Sequence, residues 1–143
     1  MPTRSASAAW EGNLKEGKGR MKFGGGAFDG AFSFVSRFEE GPGTNPEELV
    51  GAALAGCFSM ALSNNLDKAG HTPRRVDTKA RVNFEKGQDG FRITFITLQT
   101  EANVPGIDEK KFLEQAEATK KTCPVSKALT GTEIKLEAKL VQS

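Results

Sequence analysis

Cys57 and Cys123 are the only thiols in a chain of 143 residues. Two cysteines are too few for a disulfide scaffold, but they are the minimum set for reversible thiol–disulfide chemistry. Together with the single histidine, His71, they also fall short of a structural zinc site. His71 follows a helix-ending glycine, Gly70, and no Gly-x-Ser-x-Gly elbow accompanies it, so a serine hydrolase is excluded. Redox catalysis is the chemistry these residue types permit. Its bland rival is that both cysteines are inert core filler, since free cysteine is among the most buried residue types.

The two thiols differ in how they could be activated. An ordinary thiol, with a pKa near ~8.5, is only a few per cent thiolate at neutral pH, and apolar burial lowers that fraction. Cys57 stands more than three turns into a predicted helix, where the dipole of the helix start gives little help. A cation must therefore come from elsewhere. Arg37 is the first candidate, because it precedes the turn into that helix and Glu47 or Glu48 in the first helical turn can hold a guanidinium by paired hydrogen bonds. Arg20 is the reserve. If residues 31–38 form a strand, Arg37 has the opposite parity to Phe34 and Phe38 and points away from Cys57, unless a bend near Ser36 or another subunit's helix intervenes. Cys123, by contrast, stands at a predicted N-cap with Pro124 at the first helical position, so unpaired backbone N–H groups favour its thiolate. That placement suits a resolving thiol, provided the two Cα atoms come within about 7 Å. Cys123-Pro-Val-Ser126 also has the look of a degenerate Cys-x-x-Cys motif, although the strand that should precede one is missing.

The elements that must position these groups are legible from spacing. Short strands are expected around residues 8–14, 20–23 and 31–38, with Gly24-Gly25-Gly26 as a loop that no helix follows directly, so it carries no phosphate-binding context. After Gly41-Pro42-Gly43-Thr44, Asn45 is the N-cap, Pro46 the first helical residue and Glu48 the N3 partner of a capping box. The long helix runs to about Ala69, stopped by Gly70 and Pro73, with Val50, Ala53, Leu54, Cys57 and Ala61 on its apolar face. Gly51/Ala55 and Ala52/Gly56 are small pairs that let another backbone approach, and a second subunit is one candidate. Val76, Ala80, Val82 and Phe84 alternate with polar residues in a half-buried strand, and residues 86–90 form the hairpin loop. The return strand switches parity at Phe95-Ile96, which indicates a bulge or burial on both faces. Asp108 caps a shorter helix to about Lys121, stapled by Ile107 and Phe112; a brief helix from Cys123 ends near Gly131, and a last strand carries Ile134, Leu136, Ala138 and Leu140. This order reads as an α+β fold, an antiparallel sheet covering helices, in a single domain over residues 1–143.

A net charge of +2 without a basic block excludes a nucleic-acid footprint. The N-terminal stretch lacks the apolar core of a signal peptide, and Leu49 to Leu62 is short and rich in glycine and serine for a membrane span. The reading is a soluble, cytoplasmic protein with no membrane partner. Trp10 and the phenylalanines are core candidates, and the cluster Phe28, Phe32 and Phe34 is a candidate lining for an apolar substrate pocket.

Gly43-Thr44-Asn45-Pro46-Glu47-Glu48-Leu49, then Ala55-Gly56-Cys57-Phe58-Ser59-Met60-Ala61-Leu62, with Cys123-Pro124-Val125-Ser126 downstream, closely resembles the OsmC/Ohr family of hydroperoxide reductases. The likeness extends from Ala9-Trp10-Glu11-Gly12 to the last strand. It implies an intertwined homodimer in which antiparallel sheets wrap two long central helices and the active sites lie at the subunit interface. It also implies a peroxidase of oxidative and osmotic stress that uses no cofactor. Cys57 would be the peroxidatic thiolate, giving an alcohol and a sulfenic acid, and Cys123 would resolve that acid to a disulfide. Glu47 would orient the activating arginine, and the Trp10-Glu11-Gly12 opening favours the OsmC branch, in which Arg37 of Arg37-Phe38 is that arginine. Organic hydroperoxides are the implied substrates, with hydrogen peroxide a poorer one, and a dithiol such as a lipoyl group is the implied reductant. Two rivals remain open on the residues alone: a non-enzymatic homodimeric module binding apolar ligands, and a thiol–disulfide oxidoreductase working through Cys123.

Overall fold

The computed structural model describes residues 2–142, which pack as two compact units, one up to Leu49 and one from Val50 on. In the first unit, β1 (Ala6–Glu11), β2 (Lys18–Phe23) and β3 (Phe28–Phe32) form an antiparallel sheet in that order. A 3₁₀ turn over Gly24–Gly26 links β2 to β3, and the rings of Phe23 and Phe28 stack across it at 4.5 Å. Gly19 has to be glycine for a different reason: a Cβ there would lie 2.5 Å from the Phe32 ring and 2.6 Å from that of Trp10. Its bare Cα lets those two rings meet, with centroids 5.3 Å apart.

The third strand is shorter than its sequence suggests. It ends at Phe32, and Phe34–Phe38 is a one-turn helix, α1. Ser33 caps it: Ser36 N–H donates to Ser33 Oγ at 3.1 Å, and Ser33 N–H donates back to Ser36 Oγ at 2.8 Å. Phe34 and Phe38 share strand parity but are also four apart, and the helical spacing is the one that operates, with ring centroids 4.9 Å apart. The parity objection to Arg37 therefore disappears, because Arg37 lies on a helix.

α2 (Pro46–Lys68) begins at the end of the first unit with Asn45 as its cap. Glu48 N–H donates to Asn45 Oδ1 at 2.8 Å, but the Glu48 carboxylate accepts from Thr44 Oγ1 at 3.1 Å and does not complete a capping box. The helix ends where Gly70 takes φ 93° and His71 N–H reaches back to the Leu66 carbonyl at 2.9 Å. At 23 residues, roughly 34 Å, α2 is long and apolar enough to cross a membrane by length and composition, which the shorter stretch read from sequence was not.

In the second unit, α2 lays Leu54, Phe58, Leu62 and Leu66, all fully buried, onto a sheet of β4 (Arg75–Gly87), β5 (Gly90–Asn103) and β6 (Glu133–Val141). This row recurs every four residues. The expected face was rotated from it, and Ala53 is exposed. Gly51 allows the helix onto the sheet, since a Cβ there would sit 3.1 Å from Val82. β4 and β5 form one long antiparallel hairpin whose loop is only the two residues 88 and 89, tighter than the expected 86–90. The parity switch marks a bulge: Asn83 pairs with Phe95 and Phe84 with Ile93, which leaves Thr94 as the extra residue, held by Asn83 Nδ2 at 2.5 Å.

β6 joins β5 in parallel, so this sheet is mixed where an antiparallel one was expected. A parallel neighbour needs a crossover, supplied by α3 (Glu109–Thr122) and α4 (Pro124–Ala128). Asp108 Oδ1 caps α3 by accepting from Lys111 N–H at 2.8 Å, and Phe112, Ala116 and Thr119 turn inward. α4 stops at Ala128, short of Gly131, because Leu129 N–H already closes onto Val125 and Ser126 carbonyls at 3.1 Å each. Phe58→Ala is expected to cost about 3–5 kcal/mol, the loss for an aromatic removed from a closed core, measured as a lowered midpoint in urea unfolding.

Candidate active site

The second unit brings the two thiols together. Cys57, on the half-buried flank of α2, and Cys123, which is 1% exposed, place their Sγ atoms 2.8 Å apart although 66 residues separate them in sequence. Both are free thiols. Cys123 is the single residue between α3 and α4: its N–H closes α3 on the Thr119 carbonyl at 2.9 Å, and its carbonyl accepts from Lys127 N–H at 3.0 Å. Its side chain makes no cap hydrogen bond, which leaves the sulfur to face Cys57.

Electrostatics separate the pair. Burial pushes the Cys57 thiol up, and its hydrogen bond and charge repulsion with Cys123 add to that against a lowering contribution from the Val125 N–H. For Cys123, burial alone would also raise the pKa, but the neighbouring Cys57 thiol, the Ser126 N–H and hydroxyl, and the Val125 N–H favour its charged form, outweigh that and bring the thiol below its ordinary value. Of the two sulfurs, the surroundings favour the thiolate on Cys123 and disfavour it on Cys57. Thiolate absorbance of the reduced protein is expected to rise in two steps with pH, one below and one above the range of free cysteine, with macroscopic values that belong to the pair. A single step at the ordinary position would contradict this coupling.

The first unit holds the arginine and its carboxylate. Arg37 Nε and Nη2 donate to Glu47 Oε1 and Oε2, each at 3.0 Å, in a fork-to-fork pair. Glu47 is 9% exposed, and the pair gives each of its carboxylate oxygens a donor. The backbone around Arg37 is clamped as well: Ser36 Oγ donates to the Thr44 carbonyl at 2.7 Å, and Asn45 Nδ2 donates to the Ser36 carbonyl at 3.0 Å. The guanidinium also lies 5.2 Å from the centre of the Phe38 ring. Arg20 is engaged differently, with Nε 2.5 Å from Asp29 Oδ1 on an open strand surface.

Beside Arg37 is an apolar cavity of about 240 Å³, lined by Trp10, Leu14, Phe32, Phe34 and Phe38 with Ser33. Of the three phenylalanines expected to line a pocket, Phe32 and Phe34 do so, whereas Phe28 stacks on Phe23. Trp10, Leu14 and Phe38 complete the wall. Their part was hidden because they come from separate segments: β1, the turn that follows it, and α1. Among the described residues, no cluster of histidine, cysteine and carboxylate side chains could hold a metal ion.

The second unit thus holds a close pair of thiols, one on a capped helix and one on a crossover, and the first unit holds an arginine forked onto a glutamate. The chain belongs to the OsmC-like protein family, whose model matches residues 39–139. It is 46% identical over 138 residues to peroxiredoxin OsmC of Escherichia coli strain K12, covering 96% of each chain. It is 32% identical to the organic hydroperoxide resistance protein OhrB of Bacillus subtilis strain 168 over 68% of this chain and 71% of that one. The crystal structure of OhrB from Bacillus subtilis superposes with a TM-score of 0.74 at 27% identity, over 94% of this chain and 98% of the other.

Proposed function

We propose that the protein is a two-cysteine peroxidase that reduces organic hydroperoxides, and hydrogen peroxide less well, as a cytoplasmic homodimer. The observation that carries the reading is the 2.8 Å approach of Cys57 and Cys123, which puts a second thiol in reach of any oxidised form of the first. In the first step the Cys57 thiolate attacks the distal peroxide oxygen, the O–O bond breaks, and the alkoxide takes a proton to leave as alcohol. Cys57 retains the oxygen as a sulfenic acid. The Cys123 thiolate then attacks that sulfur, the S–O bond breaks, and hydroxide leaves with a proton as water. An external dithiol, for which lipoyl groups are the proposed physiological form, reduces the disulfide and is itself oxidised to a disulfide.

Because burial and the neighbouring Cys123 disfavour the Cys57 thiolate, added positive charge would assist the first step. The Arg37 guanidinium, oriented by Glu47, is the proposed source. It favours the thiolate and then the alkoxide developing on the departing oxygen. The cavity of Trp10, Leu14, Phe32, Phe34 and Phe38 beside that guanidinium supports an apolar substituent on the peroxide. A second subunit is supported by the outward row of α2, where Ala52 and Gly56 are exposed beside Met60 at 75% exposure. Turnover with dithiothreitol should consume cumene hydroperoxide faster than hydrogen peroxide. Equal rates would remove the organic preference. Binding of cumyl alcohol without any peroxide consumption would instead support the non-enzymatic binding module, and disulfide exchange with peroxide ignored would support an oxidoreductase working through Cys123.

A further inference from the structure

The Ser126 hydroxyl is the one buried side-chain polar atom among the described residues without a hydrogen-bond partner of standard geometry. Ser126 is 6% exposed, on the first turn of α4 three residues after Cys123. An unpartnered buried hydroxyl costs about 1–3 kcal/mol, so a serine here weakens the fold relative to alanine unless another state of the protein uses it. The neighbouring group able to use it is Cys123, on which this hydroxyl already acts in the favourable sense. A neutral thiol is a weak acceptor, whereas a sulfur bearing full charge gives the hydroxyl an acceptor to turn to. Access differs between the two sulfurs as well: Cys123 is 1% exposed, and Cys57 is only partly buried.

We infer that Ser126 is a positioning residue for Cys123, its hydroxyl turning onto that sulfur when it is a thiolate, so that an incoming dithiol opens the disulfide at Cys57 and expels Cys123. The inference rests on the two-cysteine cycle proposed above for its place in turnover. In the step, one thiolate of the dithiol attacks Cys57 Sγ, a mixed disulfide forms, the Cys57–Cys123 bond breaks, and its electron pair leaves on Cys123. A leaving thiolate that is better stabilised leaves faster. The second thiol of the reductant then attacks its own sulfur in the mixed disulfide, releasing Cys57 reduced and the reductant as a cyclic disulfide. The proton lost from that thiol passes to the released pair.

The test uses disulfide made with diamide, so that no peroxide chemistry is required. Reduction by dithiothreitol is expected to be about tenfold slower in Ser126→Ala, the size of a hydrogen bond to a charged group, and restored in Ser126→Thr. In a Cys57→Ser background, adding Ser126→Ala should move the thiolate titration of Cys123 to higher pH. The thermal midpoint of diamide-oxidised Ser126→Ala, in which Cys123 carries no charge, should be equal to or above that of the parent, which separates this role from a structural one. With glutathione, trapped mixed disulfide should map to Cys57. An unchanged opening rate and titration in Ser126→Ala, or a mixed disulfide on Cys123, would overturn the inference. If the wild-type thiols ignored peroxide, the proposed function would fail while these measurements still decided the role of Ser126.

Discussion

Cys57→Ser is expected to abolish catalytic peroxide consumption, leaving only the slow reaction of an ordinary thiol, while Cys123→Ser still reacts once and stops. The asymmetry follows from what each sulfur does. In the proposed cycle Cys57 is the sulfur that breaks the O–O bond, and serine at that position has no comparable nucleophile at neutral pH. Without Cys123 the sulfenic acid has no thiol 2.8 Å away to resolve it. Mass spectrometry after one equivalent of cumene hydroperoxide should then show one added oxygen on Cys57 in Cys123→Ser, trapped by dimedone. If Cys57→Ser consumed peroxide as the parent does, the assignment of roles would be wrong. The electrostatics of the reduced pair make this more than a formality, because the surroundings favour the thiolate on Cys123 over that on Cys57.

Arg37→Ala is expected to slow the oxidation of Cys57 by about a hundredfold or more, the scale seen when a preorganised donor to a developing oxyanion is lost. It should also lower stability, since Glu47 would keep a buried carboxylate with its fork-to-fork partner removed. The double variant Arg37→Ala/Glu47→Gln removes the stranded charge and should recover much of the stability without recovering the rate. Arg37→Lys separates charge from geometry: a single ammonium cannot match both carboxylate oxygens, so partial activity is expected. Stopped-flow measurement of the first oxidation step reads this directly. A rate in Arg37→Ala within twofold of the parent would remove Arg37 from the mechanism and return Arg20 to consideration.

How much of this could be read from residues alone depended on whether the controlling interaction was local. The start of α2 was legible because Asn45, Pro46 and Glu48 act within one turn, and Asn45 Oδ1 indeed accepts from Glu48 N–H. The bulge at Thr94 announced itself as a parity switch, a local signal too. α1 was misread because Phe34 and Phe38 fit a period of two and a period of four equally well. The deciding signal was the Ser33–Ser36 pair, whose reciprocal caps a strand cannot use. The parallel placement of β6 had no local signature, since strand order is set by where the crossover helices pack. A first-turn glutamate as partner of Arg37 followed from charge and spacing, with Glu47 matched to it by the family resemblance, whereas the 2.8 Å meeting of the thiols depends on contacts across 66 residues. The role proposed for Ser126 had no signature in the sequence, because Cys-Pro-Val-Ser has the look of a Cys-x-x-Cys motif short of its second cysteine and nothing local marks the hydroxyl as buried.

The two cysteines differ in their sources of activation. Cys123 is served by groups within its own unit, and Cys57 by none strong enough to offset its burial and its neighbour. The proposed cycle turns that difference into an order of events: activated Cys57 meets peroxide first, and the ready thiolate of Cys123 follows. The central claim is that one peroxide oxidises both sulfurs through a single disulfide. Reduced protein mixed with one equivalent of cumene hydroperoxide, quenched over time and titrated for free thiols, tests it most directly. Prompt loss of both thiols per peroxide and a Cys57–Cys123 disulfide within one chain are expected. Thiol loss no faster than that of free cysteine would contradict it.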